Sequence, residues 1–309
     1  MKIFILTTPS TNVFDSDHLK AFKKIGSVVF IDKPQPFQNI KELFQGDEER
    51  IVAIDPDFCG WKVPDNILET IPNLKAVCLQ TASFSWINTP LATKYNIIVT
   101  NSKGWPTQSV VEWIIMTSLL LARKIPLMSH EGWSKDFSRY MGTELLGKTA
   151  GILGLGKIGT RLAETCTQLG MQIVYWSKHS RDTRFTYTSI EKIITQSDFI
   201  FPVWANNKET KTLISKTLLK KMNPKGIFVD IFAAQDTHDR ETLIQMAEAN
   251  KIQGYGFESE DNEFMKHKGN IAAIPESAWC TRESKQRNAK IWSDSIILAA
   301  QGKFPARVN

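Results

Sequence analysis

The stretch Thr149 to Gly159, TAGILGLGKIG, limits what this chain can fold into more than any other. Small and β-branched residues open it, Gly154-x-Gly156-x-x-Gly159 follows, and TRLAETCTQLG continues at helical period. A buried strand, a glycine turn and a helix, in that order, form the context in which this glycine spacing marks a dinucleotide site. The first glycine permits the tight turn, the second lets a pyrophosphate approach the backbone, and the third lets helix and strand pack closely. The first N–H groups of the helix then face the phosphates. Gly154, Gly156, Lys157, Ile158 and Gly159 are the expected phosphate-binding residues. An ordinary βα turn uses glycines too, so the rest of the chain has to decide between the two readings.

Before the motif, apolar runs at Lys2–Thr7, Ser27–Ile31, Ile51–Ile54, Lys75–Leu79 and Ile97–Thr100 alternate with helical patterns at Ser16–Ile25, Lys41–Glu49, Pro64–Ile71 and Pro90–Tyr95. After it, runs at Gln172–Trp176, Phe199–Val203, Gly226–Asp230, Ile252–Gly256 and Ile271–Ile274 alternate with helical patterns at Ile190–Thr195, Lys216–Met222 and Arg240–Asn250. Strands alternating with helices at this pace predict parallel sheets covered on both faces. The fold class is α/β, with two doubly wound parallel-sheet domains. Thr107 to Arg123 reads as a long helix too apolar for an exposed surface, and its expected place is buried between the domains. Ser284 to Ala300 reads as the last helix.

A chain of 309 residues suggests about two domains. Net charge is +6 with a pI near 9.0, but the cations are scattered among acids and no nucleic-acid motif appears, so no nucleic-acid partner is expected. Cys59, Cys78, Cys166 and Cys280 are far apart and read as buried thiols of a reducing compartment; the five histidines form no ligand pair, so no metal site is implied. The start, MKIFILTTPS, has too short an apolar run for a signal peptide. The stretch Val110 to Ala122 contains Glu112 and is too short to span a bilayer. A cytoplasmic protein with no membrane partner is the expectation.

Further motifs join the glycine turn: V-T-N-S-x-G at Val99–Gly104, V-V-E at Val110–Glu112, L-x-G-K-T at Leu145–Thr149, K-E-T-x-x-L-I ending at Ile214, and the tail G-K-F-P-x-x-V-N. Together they make the chain resemble the D-isomer-specific 2-hydroxyacid dehydrogenases, of the glyoxylate/hydroxypyruvate reductase-like kind, over nearly its whole length. The resemblance implies a flavodoxin-like substrate domain, residues 1–100 and 284–309, with a Rossmann nucleotide domain, residues 101–283, inserted into it. It also implies a homodimer acting on a small-molecule substrate in a cleft between domains. Ser177 stands where the family's NAD-selecting aspartate would be, and Lys178 and Arg181 are available for a 2′-phosphate; no acid follows until Asp182. A cation at that place suits NADP better than NAD. The expected cofactor is NADPH, with NADH possible.

The chemistry departs from the pattern. Reduction of a 2-oxo acid calls for a guanidinium to clamp the carboxylate, an acid to protonate the alkoxide, and a carboxylate to orient that acid. The family supplies Arg, His and Glu. Anchoring on Asp239 and Leu243 puts Ala234 at the arginine position; the glutamate falls on Glu263, and the histidine after Pro275 has become Glu276. The family's glycine-rich carboxylate loop reads Thr81-Ala-Ser-Phe-Ser85, and Tyr255 and Glu258 replace smaller or shorter residues. Glu263 and Glu276 are therefore the catalytic candidates, facing each other in the cleft, with one carboxyl pushed towards protonation by the other. His267 is a solvated loop histidine, and His238 and Arg240 are expected to begin a surface helix. Three readings follow: an NAD(P)H-dependent oxidoreductase of atypical substrate, a silent nucleotide-binding scaffold or sensor, and an orthodox 2-hydroxyacid dehydrogenase.

Overall fold

The computed structural model describes residues 1–9, 13–205, 209–211, 213–232, 237–259 and 266–309. The chain divides into two compact units, residues 1–106 with 281–309, and residues 107–280.

In the first unit, strands β1 (Lys2–Leu6), β2 (Ser27–Ile31), β3 (Arg50–Ile54), β4 (Leu74–Leu79) and β5 (Ile98–Thr100) form a wholly parallel sheet in the order β2-β1-β3-β4-β5. This is the flavodoxin-like order. Helices α1 (Ser16–Phe22), α2 (Asp65–Thr70) and α3 (Thr89–Lys94) connect strands. β3 is buried along its whole length, as a central parallel strand covered on both faces must be. The helix expected over Lys41–Glu49 is a single 3₁₀ turn, Lys41–Leu43. Arg50, fully buried, is the reason: its guanidinium donates to the carbonyls of Gln45, Gly46, Glu48 and Pro72, so those of the 45–48 segment point at a cation instead of at the next turn.

The second unit carries α4 (Thr107–Ala122), α5 (Ile125–His130), β6 (Thr149–Leu153), α6 (Lys157–Gln168), β7 (Gln172–Trp176), β8 (Thr186–Tyr187), α7 (Ile190–Gln196), β9 (Phe199–Pro202), α8 (Lys216–Leu219), β10 (Ile227–Val229), α9 (Arg240–Glu248), β11 (Gly254–Ser259) and β12 (Ile271–Pro275). Its parallel sheet runs β12-β11-β10-β9-β6-β7-β8. Counted within the unit, this is the doubly wound order 3-2-1-4-5-6 with a seventh strand added. The order reverses beside β6, and in sheets of this kind ligands bind outside the carboxyl ends of the strands at that reversal. Alternate residues feed two cores. Ile152, Phe199 and Phe201 enter one face, and Leu153 and Ile200 the other.

Two expectations change here. The long helix ends where Lys124 turns left-handed (φ 54°), ahead of Pro126, but it is not buried all round. Glu112, Met116 and Leu119, spaced along one stripe, are exposed. β11 also runs further than the Ile252–Gly256 pattern indicated and takes Glu258 into the sheet.

The chain ends in the first unit with α10 (Arg282–Ala300), opened by a capping box between Thr281 and Ser284. Trp292, fully buried, donates from Nε1 to the Cys78 carbonyl at 2.9 Å. Burying an aromatic side chain of this size is worth roughly 1.5–3 kcal/mol. Of the four free thiols only Cys78 and Cys166 are buried, each pushed up by desolvation; Cys59 is half-buried and Cys280 exposed, against expectation.

Candidate functional site

The glycine turn joins β6 to α6. Gly154 has φ +105°, and a Cβ there would stand 2.7 Å from the Trp204 backbone. A Cβ on Gly159 would lie 1.9 Å from the Gly154 carbonyl oxygen, so only glycine lets α6 start against the strand. Gly156 has nothing within 4 Å of where its Cβ would be. That open space meets the N-terminus of α6, whose N-cap is Gly156 and whose first N–H groups have no side-chain cap. Lys157 is exposed and Ile158 half-buried at the same end. Uncapped N–H groups, the positive end of a three-turn helix and free room above a glycine fit a pyrophosphate.

Two loops flank this turn. After β7, Ser177 is buried, and its hydroxyl accepts from Ser180 N at 3.3 Å, capping the turn. Arg181 donates through Nη1 to the Ser177 and Ser180 carbonyls at 2.7 and 2.8 Å, and its guanidinium lies 4.0 Å over the Tyr187 ring. Asp182 is engaged by Arg184, whose Nη2 is 2.6 Å from Oδ2, and hydrogen bonds from Arg184 hold its carboxyl below the usual range. After β9, Trp204 packs edge-on to Trp176 at 5.9 Å. Lys178 Nζ meets Glu209 Oε2 at 2.7 Å, joining the two loops.

The other half of the edge, at β10–β12, carries titratable groups. Glu258, 4% exposed, accepts from both Ser277 N and Ala278 N through Oε1 at 2.7 Å. These bonds pin the turn that begins at Glu276, which is exposed and follows directly on β12. Burial pushes the Glu258 carboxyl up to about 7, with the charges of Glu276 and Asp230 adding to it and the two N–H bonds opposing. The carboxyl shifted towards protonation is thus Glu258, a residue that had registered only as longer than its counterpart. Its signal was a carboxylate inside a buried strand. Glu263 and Ala234 lie outside the described residues.

Beside it, Asp230 is fully buried at the end of β10. Its Oδ2 accepts from Tyr255 Oη at 2.7 Å and lies 2.9 Å from His238 Nε2. Its Oδ1 accepts from Phe232 N at 3.0 Å and lies 3.8 Å from Arg240 Nη2. Thr237 Oγ1 is 2.9 Å from His238 Nδ1. Burial first, then the Asp230 charge, hold the Tyr255 phenol well above its usual range. His238 and Arg240 are therefore buried and not on the surface, because a carboxyl group buried at the sheet edge must have hydrogen-bond partners. Thr237 and Tyr255 are fully buried, which makes this network an anchor for the chain. His267 is half-buried and stands edge-on to Phe257 at 5.9 Å, so it too is not simply solvated.

In the first unit, the Thr81–Ser85 loop has no glycine, and its Ala82 and Ser83 carbonyls accept from Asn101 Nδ2 at 2.6 Å and Trp86 Nε1 at 3.0 Å. Among the described residues no cluster of metal-ligating side chains occurs, and no helix is long and apolar enough to cross a membrane.

The comparisons with known proteins agree with this geometry. A family model for the D-isomer specific 2-hydroxyacid dehydrogenase NAD binding domain matches residues 115–280. A glyoxylate reductase of Thermofilum pendens is 28% identical over 97% of this chain and 93% of its own length. A glyoxylate reductase of Thermococcus litoralis is 30% identical over 79% of each chain. Among solved structures, an acyclic imino acid reductase in complex with NADPH and D-Arg shares the fold, with a TM-score of 0.82, 22% identity and full coverage of both chains. The chain belongs to the D-isomer specific 2-hydroxyacid dehydrogenase family of NAD(P)-dependent oxidoreductases.

Proposed function

We propose that the protein is an NADPH-preferring reductase whose carbonyl or imine substrate is recognised without the arginine and histidine of its relatives. The observation that carries this reading is Glu276, directly after Pro275, presented on a turn that Glu258 holds through two backbone N–H bonds. When bound, the reduced nicotinamide supplies the hydride. The protein's part is to supply a proton to the heteroatom that gains charge, and Glu276 is assigned that role with Glu258, titrating near 7, as the neighbouring proton reserve. Two carboxyls at one strand edge, with Ala234 assigned to the arginine position, favour a neutral or cationic substrate over a simple 2-oxo acid. Glu263 is assigned to the same group. The imino acid reductase of like fold was solved with D-Arg, a cationic ligand, which lends support to imines carrying a cation.

The NADPH preference rests on Lys178 and Arg181 beside the buried Ser177, and on Asp182 being engaged by Arg184. Gly154, Gly156, Lys157, Ile158 and Gly159 are assigned to the pyrophosphate. A homodimer is also proposed: Met116, Leu119, Trp133, Phe137, Met141 and Leu146 are large apolar side chains left exposed on the second unit. A cytoplasmic setting accords with the free thiols.

The test is NADPH oxidation with glyoxylate, hydroxypyruvate, neutral and cationic carbonyls, and imines formed from them with ammonia. Turnover confined to the neutral or cationic substrates is expected. Brisk reduction of the simple 2-oxo acids defeats the substrate reading, and cofactor binding without turnover across the panel favours the silent scaffold instead.

A further inference from the structure

We infer that Glu209 tunes the choice between NADPH and NADH by acting as a displaceable counter-ion for Lys178. The inference rests on the NADPH reading of the preceding section and deepens it.

The two cations beside Ser177 are held differently. Arg181 is fixed: its Nη1 is bound to two carbonyls of its own turn, and its plane is stacked 4.0 Å over Tyr187. Lys178 instead reaches across the glycine turn to a carboxylate on the other flanking loop, 2.7 Å from Glu209 Oε2. Register explains why the two loops are neighbours. Leu153 of β6 pairs with Trp176 on one side and Pro202 on the other, so the chain leaving β7 and the chain leaving β9 emerge on either side of Gly154. Gly154 N donates to the Trp176 carbonyl at 2.8 Å, and Trp176 and Trp204 meet edge-on below. The hydrogen bond from Lys178, followed by its charge, holds the Glu209 carboxyl below the usual range, so the carboxylate is ionised at neutral pH.

The Lys178 and Glu209 side chains are 52% and 62% exposed. An ion pair in water at such exposure contributes little and changes partners readily. A ribose 2′-phosphate carries roughly −1.5 to −2 charges and three strong acceptors, and so outcompetes one exposed carboxylate for the ammonium. Binding NADPH then means replacing Glu209 at Lys178 and leaving its negative charge nearby. Binding NADH leaves the pair intact. Glu209 thus weakens NADPH selectively, and the two cations are not equivalent: Arg181 is the standing phosphate ligand and Lys178 the exchangeable one.

The measurement is the dissociation constant of NADPH and of NADH, by calorimetry on the full chain, for the wild type, Glu209→Gln, Lys178→Gln and the double variant. Both side chains are exposed, so the fold should tolerate each change, and thermal unfolding checks it. Glu209→Gln is expected to tighten NADPH by about threefold to fivefold, the range an exposed pair can supply, and to leave NADH within about twofold. Lys178→Gln should weaken NADPH, and adding Glu209→Gln to it should restore less than Glu209→Gln gains in the wild type, because only the repulsion between carboxylate and phosphate is then left to remove. If Glu209→Gln leaves NADPH unchanged, or loosens both cofactors alike, the pair is only a staple between loops and the inference fails while the NADPH reading stands. If the wild type binds NADH more tightly, the NADPH reading fails and takes the inference with it.

Discussion

The two halves of the carboxyl edge of the second sheet are built on different principles. Around Gly154, Gly156 and Gly159 the site is made of backbone: an uncapped helix end, open space above Gly156, and glycines that sterics leave no choice about. Across β10 to β12 it is made of side chains that must satisfy one another: Asp230 with His238, Tyr255 and Arg240, and Glu258 under the turn of Glu276. A backbone site tolerates wide sequence change because it asks only for glycines and a helix. A side-chain site changes its chemistry when a few residues change, so a shared nucleotide half does not by itself carry over the reaction.

That contrast is open to attack, most strongly at Glu276. Glu276→Gln should lower kcat/KM on the best substrate by about 10² to 10⁴ and leave the NADPH dissociation constant unchanged. Equal loss of cofactor affinity would mean the halves are not separate. Next, Asp230→Ala removes the acceptor shared by Tyr255 and His238, and should cost about 3–5 kcal/mol in chemical unfolding. A loss below about 1 kcal/mol would show that the network does not anchor this half. In the other half, Gly156→Val places a side chain in open space, so it should weaken NADPH at least about a hundredfold with an unchanged melting temperature. Destabilisation there would show that Gly156 serves the fold and not the ligand.

The smallest effect concerns Glu258. Its carboxyl is raised from 4.5 to about 7, so the folded state holds a proton that the unfolded chain has lost between those values. Folding is then favoured fully below pH 4.5, the contribution declines as pH rises towards 7, and it is gone above. Glu258→Gln, which stays neutral, should therefore be the more stable variant at pH 8 by about 1–3 kcal/mol, with the advantage vanishing near pH 4.5. Denaturant unfolding at the two pH values reads this directly. A variant that is less stable at pH 8 would break the assignment of a protonated carboxyl to this position.

Much of the fold was legible from the chain alone. The βα alternation and the glycine spacing named both parallel sheets and the strand–turn–helix unit, because a strand buried on both faces and a turn that excludes side chains each leave a local mark. The helix assigned to Lys41–Glu49 failed because Arg50, buried as the first residue of the next strand, draws the carbonyls of Gln45, Gly46 and Glu48 to itself. His238 and Arg240 looked like the start of an exposed helix, since nothing local shows that Asp230 is buried and needs donors.

The sequence by itself determined the doubly wound architecture, the glycine turn between strand and helix, and the family resemblance, all written in spacing along one segment at a time. Glu276 at the end of β12 and the cations beside Ser177 were visible in the same way. Only the tertiary structure decided the partners: that Glu258 lies under the Glu276 turn and titrates near 7, that Asp230 gathers His238 and Tyr255, and that Lys178 crosses the glycine turn to Glu209. The reason is physical. Steric and periodic constraints act between neighbours in the chain, whereas desolvation and charge pairing depend on which groups the folded sheet brings together from distant segments.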